Sequence, residues 1–453
     1  MVANLRSRVT GFFVNGHERT LLVKKNIALT FLTKAGGILI SLVLVPMTID
    51  YVSPAQYGVW LTISSIIGWL NFFDVGLGNG LKNKLTQSTA LGETEQARMY
   101  ISTTYAALIG IAALTFFLFM AANRYVNWGK LLNVSGANAE GLESVMLMAL
   151  GCFCVQFVAQ LINTILTATH QSASASYITF FGQLCSVIAI YVCKQYLPGS
   201  LFTLVCIIAS TPVIALAVGS FLFFRHKLQH LAPSWKLVNM TYARGLLNAG
   251  GKFFLIQIGA LVLFQTNYIL ISQLLGPEQV TVYSVCYKLF SVVIMIFTII
   301  VTPMWSSFAD AYAKGDFEWL TGSLQKMRKV WLLFSLATLA ILSASPMLFT
   351  EWIGKSVSVP WTLSICMTVY VIAYIWQMMH VYFLNGIGKI QLQLILVTVS
   401  AILNIPVCIL LGKSFGLVGI VATSTILFTV MGIIFSIQCQ KICTSKANKV
   451  WGK

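Results

Sequence analysis

Six side chains stand out in this sequence because of where they fall. Lys34, Asp74, Lys252, Gln257, Asn267 and Lys288 lie inside, or at the mouths of, long apolar stretches. An ionisable group at the centre of a bilayer costs roughly 3 kcal/mol on insertion scales, so the embedded lysines and the aspartate are functional candidates by default. Lys34 lies about two helical turns into the first stretch, and Asp74 about two turns from the same-side end of the second. Their depths match, so they can pair. Lys252 sits at the mouth of the seventh stretch, and Lys288 lies nearer the midplane or the far leaflet. Cations and amides of this kind suit the capture of a polar, anionic ligand rather than bond breaking. Structural readings stand beside that one. The Lys34–Asp74 pair could fix how two helices pack, Lys288 could snorkel to the headgroups, and Gln257, Gln265 and Asn267 could bond between helices.

Catalytic constellations are missing from the sequence. No water-facing loop carries paired carboxylates, a Ser/His/Asp set or a metal quartet, and the longest outer loop, roughly 123–142, is too short for a catalytic domain. Cys152-x-Cys154 sits within an apolar stretch and reads as small packing residues. His226 and His230 are spaced i, i+4 but lack a third ligand nearby. Gly76, Gly78 and Gly80 resemble a nucleotide loop, yet no strand precedes them. No enzyme activity, cofactor or metal is therefore expected.

The elements that must position these residues are membrane helices. The 453 residues are 58% hydrophobic and 9% charged, and the mean hydropathy is +0.84. Twelve apolar stretches are long enough to span a bilayer: 26–49, 57–81, 100–122, 143–168, 174–194, 200–224, 248–273, 279–305, 328–349, 360–384, 390–411 and 415–437. The net charge of +17 follows topology. With the N-terminus cytoplasmic, 22 Lys and Arg fall in cytoplasmic segments. Five fall outside: Arg124, Lys130, Lys194, Lys355 and Lys413. That asymmetry is the positive-inside rule and predicts both termini in the cytoplasm. It assigns the basic residues to topology and anionic lipid headgroups rather than to nucleic acid. Residues 1–25 lack the apolar core of a signal peptide and read as an interfacial segment.

A faint repeat organises the spans. At an offset of 223, Pro54 meets Pro277, Gln56 meets Gln279, Gly36 meets Gly259, Gly92 meets Gly315 and Glu95 meets Glu318. Six spans per half make the halves parallel repeats. The expected organisation is an N-terminal segment (1–25), an N-lobe (26–224), a basic cytoplasmic linker (225–247), a C-lobe (248–437) and a basic tail (438–453). After spans 2 and 8, a helix should leave the membrane, stop at Gly92 or Gly315, and give way to a helix opened by an acidic residue. Pro46, Pro212, Pro303 and Pro406 should kink their spans.

The segment Phe73-Asp-Val-Gly-Leu-Gly-Asn-Gly-Leu-Lys-Asn-Lys-Leu85 resembles the end of helix 2 in bacterial Wzx-type polysaccharide flippases. Gly251-Lys-Phe-Phe-Leu-Ile-Gln-Ile258, Ile271-Ser-Gln-Leu-Leu-Gly-Pro-Glu-Gln-Val280 and Tyr287-Lys-Leu-Phe290 are similar to the opening of their helix 7 and to the segments beyond it. Over nearly its whole length the chain resembles the polysaccharide-transporter branch of the multidrug/oligosaccharidyl-lipid/polysaccharide (MOP) exporter superfamily. The resemblance implies an all-α polytopic protein of twelve transmembrane helices in two parallel six-helix lobes, with the V shape of the MATE transporters. It implies a flippase that moves an undecaprenyl-diphosphate-linked oligosaccharide from the cytoplasmic to the periplasmic leaflet of the bacterial inner membrane. Alternating access would pass the substrate through a central cationic cavity, with Lys34 and Lys288 holding the anionic headgroup. Membrane lipids, a polysaccharide polymerase and glycosyltransferases are the implied partners. A coupling ion, H+ or Na+, is left open. A cation-coupled multidrug exporter of the same fold is the first alternative. It would want embedded carboxylates, whereas two embedded lysines face one aspartate here. A polymerase or ligase would need a long catalytic outer loop.

Overall fold

A backbone amide in hydrocarbon has no water to bond, so apolar stretches of this length must coil into helices. The computed structural model describes residues 18–70, 77–134, 141–169, 171–242, 251–302, 304–444 and 451, and among them there are helices and no strand. In chain order they are α1 (Glu18–Tyr51), α2 (Pro54–Leu70), α3 (Leu77–Ala90), α4 (Thr94–Asn123), α5 (Trp128–Leu132), α6 (Leu142–Ala159), α7 (Leu161–Ala168) and α8 (Ser172–Tyr196). There follow α9 (Leu201–Arg225), α10 (Gly251–Leu275), α11 (Pro277–Val301), α12 (Met304–Ala313), α13 (Phe317–Ile353), α14 (Trp361–Gly386) and α15 (Gln391–Cys443). Two 3-10 turns, Gln229–Leu231 and Trp235–Leu237, lie between α9 and α10.

Nine helical segments among the described residues are long and apolar enough to cross a bilayer. The last of them holds two spans, because Gly416 (φ 61°, ψ −140°) interrupts its 53 residues. Helices α2 and α10 supply the second and seventh spans, so each of the twelve apolar stretches has its helix. Large side chains at mid-helix are bare: Leu114 is 62% exposed, Leu333 63% and Ile402 68%. A water-soluble protein would bury such residues, whereas lipid solvates them. Hydroxyls inside the spans turn back to their own helix, as Thr104 does to Tyr100 O at 2.8 Å and Thr338 to Phe334 O at 2.7 Å. This satisfies them without water.

The internal repeat is visible in backbone hydrogen bonds. Where α3 ends, Gly92 has φ +74°; where α12 ends, Gly315 has φ +71°. Gly92 N–H donates to Thr89 O (3.3 Å) and Glu93 N–H to Ser88 O (2.9 Å). Gly315 N–H donates to Tyr312 O (3.1 Å) and Asp316 N–H to Ala311 O (2.9 Å). Each pair is a Schellman cap around a left-handed glycine, and the two use positions 223 apart. Asp316 then caps α13 by accepting from Trp319 N–H at 2.9 Å. The elbows read from the sequence are therefore built as expected.

Contacts gather the chain into two units. One comprises Met1–Met47, Phe73–Tyr125 and Ser144–Gly251; the other comprises Thr48–Phe72, Val126–Glu143 and Lys252–Lys453. In the first unit the linker is fastened to α4. Arg98 Nε donates to Ala232 O at 3.1 Å, Ser234 N–H to Ser102 Oγ at 2.9 Å, and Asn239 N–H to Thr103 Oγ1 at 3.0 Å. The division by contact differs from the division by repeat, since α2 and the loop around α5 gather with the C-terminal helices. The reason lies in two close approaches. Thr281 Oγ1, on the first turn of α11, donates to Pro54 O on the first turn of α2 at 2.5 Å. A Cβ on Gly58 would collide with Pro277 O, so only glycine admits this approach. Pro54 and Gly58 are the repeat partners of Pro277 and Thr281, so the two helices cross through equivalent turns. Beyond α5, Asn133 Nδ2 donates to Ser272 O (3.0 Å), Ser272 Oγ to Leu132 O (2.7 Å), and Gln273 Nε2 to Lys130 O (3.2 Å). From the tail, Trp451 lies against Lys441, whose ammonium is 3.9 Å from the ring centroid.

Candidate functional site

Tyrosines in membrane helices favour the two interfaces, where the hydroxyl meets water. The second unit places five inside its helices instead: Tyr268 on α10, Tyr283 and Tyr287 on α11, Tyr370 and Tyr374 on α14. The i, i+4 spacing on α11 and again on α14 stacks each pair on one helix face. The helices bring the rings together. Tyr268 and Tyr283 have centroids 5.5 Å apart, Tyr283 and Tyr287 6.1 Å, Tyr287 and Tyr370 6.2 Å, and Tyr370 and Tyr374 6.1 Å. Phe264 of α10 and Phe428 of α15 extend the network from Tyr374, at 5.5 Å and 5.0 Å. Ser284 makes a polar contact with the phenols of both Tyr57 and Tyr268, and Tyr287 makes one with Tyr370.

Asn267, next to Tyr268, is buried and donates from Nδ2 to Ser424 Oγ at 3.3 Å. Its Oδ1 accepts from Cys408 Sγ at 3.8 Å, and the same thiol lies 3.6 Å from Asn404 Oδ1. Asn404 Nδ2 and Thr266 Oγ1 have no hydrogen-bond partner among the described residues. A buried donor left unpaired costs about 1–3 kcal/mol, so this amide cluster carries unused hydrogen-bonding capacity.

Lys288 follows Tyr287 on α11. Its side chain is half-buried, as are Tyr268, Tyr287 and Tyr374. Its backbone oxygen accepts from Ser291 Oγ at 2.9 Å, and no carboxylate among the described residues pairs with its ammonium. The structure thus puts Asn267 and Lys288 on adjacent helices that share one tyrosine network. Lys34 is exposed on α1 in the first unit. Asp74 lies outside the described residues, and with it the expected Lys34–Asp74 pair. Lys252 and Gln257 lie on α10, with side chains outside the described residues. The tyrosines were missed in the sequence, although five phenols deep within spans, paired at i, i+4, were a readable signal.

Phenols, amides and one ammonium can bind but have no nucleophile and base to react with. The ten cysteines are free, and no three His, Cys, Asp or Glu among the described residues gather as metal ligands. His226 and His230 are exposed. Aromatic faces and hydroxyls suit a hydroxyl-rich ligand, and the ammonium suits an anionic group on it.

Comparison with known proteins places these features. The profile of a family described as "Polysaccharide biosynthesis protein" matches residues 23–308, and the MatE profile matches residues 254–410. A putative O-antigen export protein of Yersinia pseudotuberculosis is 23% identical over 388 residues, covering 83% of this chain and 86% of that protein. A putative O-antigen transporter of Salmonella typhi is 21% identical over 279 residues, covering 61% of this chain and 62% of that protein. Among solved structures, an inward-facing multidrug resistance MATE family transporter of the MOP superfamily superposes with a TM-score of 0.75. It is 14% identical and covers 90% of this chain and 95% of its own.

Proposed function

Because the chain belongs to the polysaccharide biosynthesis protein family and has the fold of the MATE transporters, we propose that it flips a lipid-linked oligosaccharide. It is a multi-pass membrane transporter of polysaccharide synthesis rather than an enzyme. On this reading the substrate is an oligosaccharide on undecaprenyl diphosphate, carried from the cytoplasmic to the periplasmic leaflet of a bacterial inner membrane, with both chain termini cytoplasmic. Glycosyltransferases would supply this substrate and a polymerase would consume it. A gradient of H+ or Na+ is the candidate driving force.

The observation that carries this reading is the tyrosine network of the second unit, which holds no carboxylate among the described residues and in which Tyr287 is followed along α11 by the half-buried Lys288. A sugar diphosphate brings many hydroxyls and about two negative charges. Moving them bare through hydrocarbon is prohibitive, since each unpaired polar group costs several kcal/mol. Phenols and amides replace water at the hydroxyls, and the ammonium of Lys288 replaces it at the phosphates. Alternate exposure of this surface to the two sides would complete the transfer. A pump for cationic drugs would need the opposite charge in the same place.

The test is complementation of a strain lacking its polysaccharide flippase, scored by surface polysaccharide at matched expression. Restored polysaccharide supports the reading. Failure to restore it, together with raised resistance to cationic drugs, would move the protein to the drug exporters.

A further inference from the structure

Three cavities in the first unit adjoin one another along α4, α6 and α9. The central one has a volume of about 850 Å³ and is almost wholly apolar. It shares Phe116, Gly151 and Val155 with a second, of about 530 Å³, at one end. At the other end it shares Tyr105, Ile109 and Pro233 with a third, of about 170 Å³, beneath the linker. The middle of the trench is walled by small residues, among them Ala113, Gly151 and Ala217. A Cβ on Gly151 would rest 3.5 Å from Phe116, in ordinary contact, so the missing side chain there leaves groove rather than relieving a clash.

The dimensions of the trench select its occupant. Its lining on α9 runs from Phe202 to Phe224. At 1.5 Å per residue that is roughly 33 Å, the full hydrocarbon thickness of about 30 Å. A phospholipid acyl chain is confined to one leaflet, about half that distance. A single chain that fills the trench must be long and slender enough to run through both leaflets, as a polyprenyl chain is. The chemistry of the linker end agrees. Arg98 is fixed there by Ala232 O at 3.1 Å, Lys236 is exposed, and Trp235 is 74% exposed at the rim. The segment 225–242 contains Arg225, Lys227 and Lys236 and no acidic residue. A basic, tryptophan-edged mouth suits an anionic headgroup at the membrane surface.

We propose that this trench seats the polyprenyl chain of the lipid-linked substrate, with its diphosphate at the basic mouth, as a loading position. The inference rests on the flippase reading, and on the topology that puts the linker in the cytoplasm, where the substrate is made.

The test is photolabelling of the full-length protein in lipid nanodiscs. The probe is undecaprenyl diphosphate carrying a diazirine on its isoprenoid chain. Labelled peptides should come from α4, α6 and α9. Unlabelled undecaprenyl diphosphate should compete and phosphatidylglycerol at the same concentration should not. Ala113→Trp with Ala217→Trp should cut that labelling tenfold or more, and Leu114→Trp, on a bare part of α4 that does not line the trench, should leave it intact. Peptide mapping of the unaltered protein decides the matter even if the double variant folds poorly. Specific labelling confined to other helices, or equal competition by phosphatidylglycerol, overturns the trench and leaves the flippase reading standing. Specific labelling nowhere on the chain overturns both.

Discussion

At the scale of single residues, the flippase reading gives Lys288 and the tyrosine network different parts of the ligand, so they should fail differently. A close ion contact in a partly hydrated site is worth ~1–4 kcal/mol. Lys288→Ala should therefore lower transport at limiting substrate by about tenfold or more, and Lys34→Ala tests the lysine of the first unit in the same way. Lys→Arg keeps the charge and should be milder, although the planar guanidinium differs in geometry. Surface polysaccharide in a flippase-deficient strain, at matched expression and across substrate supply, is the readout. Wild-type export from both alanine variants would return these lysines to structure or snorkelling. Tyr374→Phe removes only the phenolic oxygen of a half-buried ring. It should weaken binding of the oligosaccharide by about 1 kcal/mol, the net worth of a hydrogen bond, while leaving the melting temperature near that of the parent. A fall in melting temperature with unchanged binding, measured on purified protein, would make the network a packing device. The lysines were legible in the sequence because a charge in an apolar run is conspicuous. The tyrosines were legible only as phenols paired at i, i+4 within spans, and packing alone shows five of them meeting.

At the scale of elements, the approach of α2 to α11 rests on the missing side chain of Gly58. Gly58→Ala drives a Cβ into Pro277 O, which is backbone and cannot swing away. Overpacking of this kind costs about 1–3 kcal/mol, so the variant should melt several degrees lower in detergent. Gly110→Ala on α4 meets nothing within 4 Å. It should gain roughly 0.5–1 kcal/mol from the stiffer unfolded chain. Equal melting of the two variants would mean that α2 does not rest on α11 in the membrane. The twelve spans and the two glycine elbows could be read from sequence, because hydropathy and capping act over neighbouring residues. The gathering of α2 and of the loop around α5 with α10 and α11 could not. It depends on hydrogen bonds such as Asn133 to Ser272, made between residues 139 apart in the chain.

At the scale of the whole molecule, flipping toward the periplasm requires a fixed topology. The topology predicts that Lys84→Cys and Lys314→Cys, in a background stripped of the ten native cysteines, resist an impermeant thiol reagent on intact cells. Ready labelling of either from outside would invert the protein. Transfer between leaflets is tested most directly by reconstitution. Purified protein in liposomes loaded with an undecaprenyl-diphosphate-linked oligosaccharide should carry it between leaflets, as read by the fraction open to a glycosidase that cannot enter. If the protein is a flippase, this fraction rises with protein well above empty liposomes, and Lys288→Ala reduces the rise about tenfold at limiting substrate. An accessible fraction equal to that of empty liposomes, from protein that extrudes a cationic dye in the same vesicles, would contradict the flippase reading.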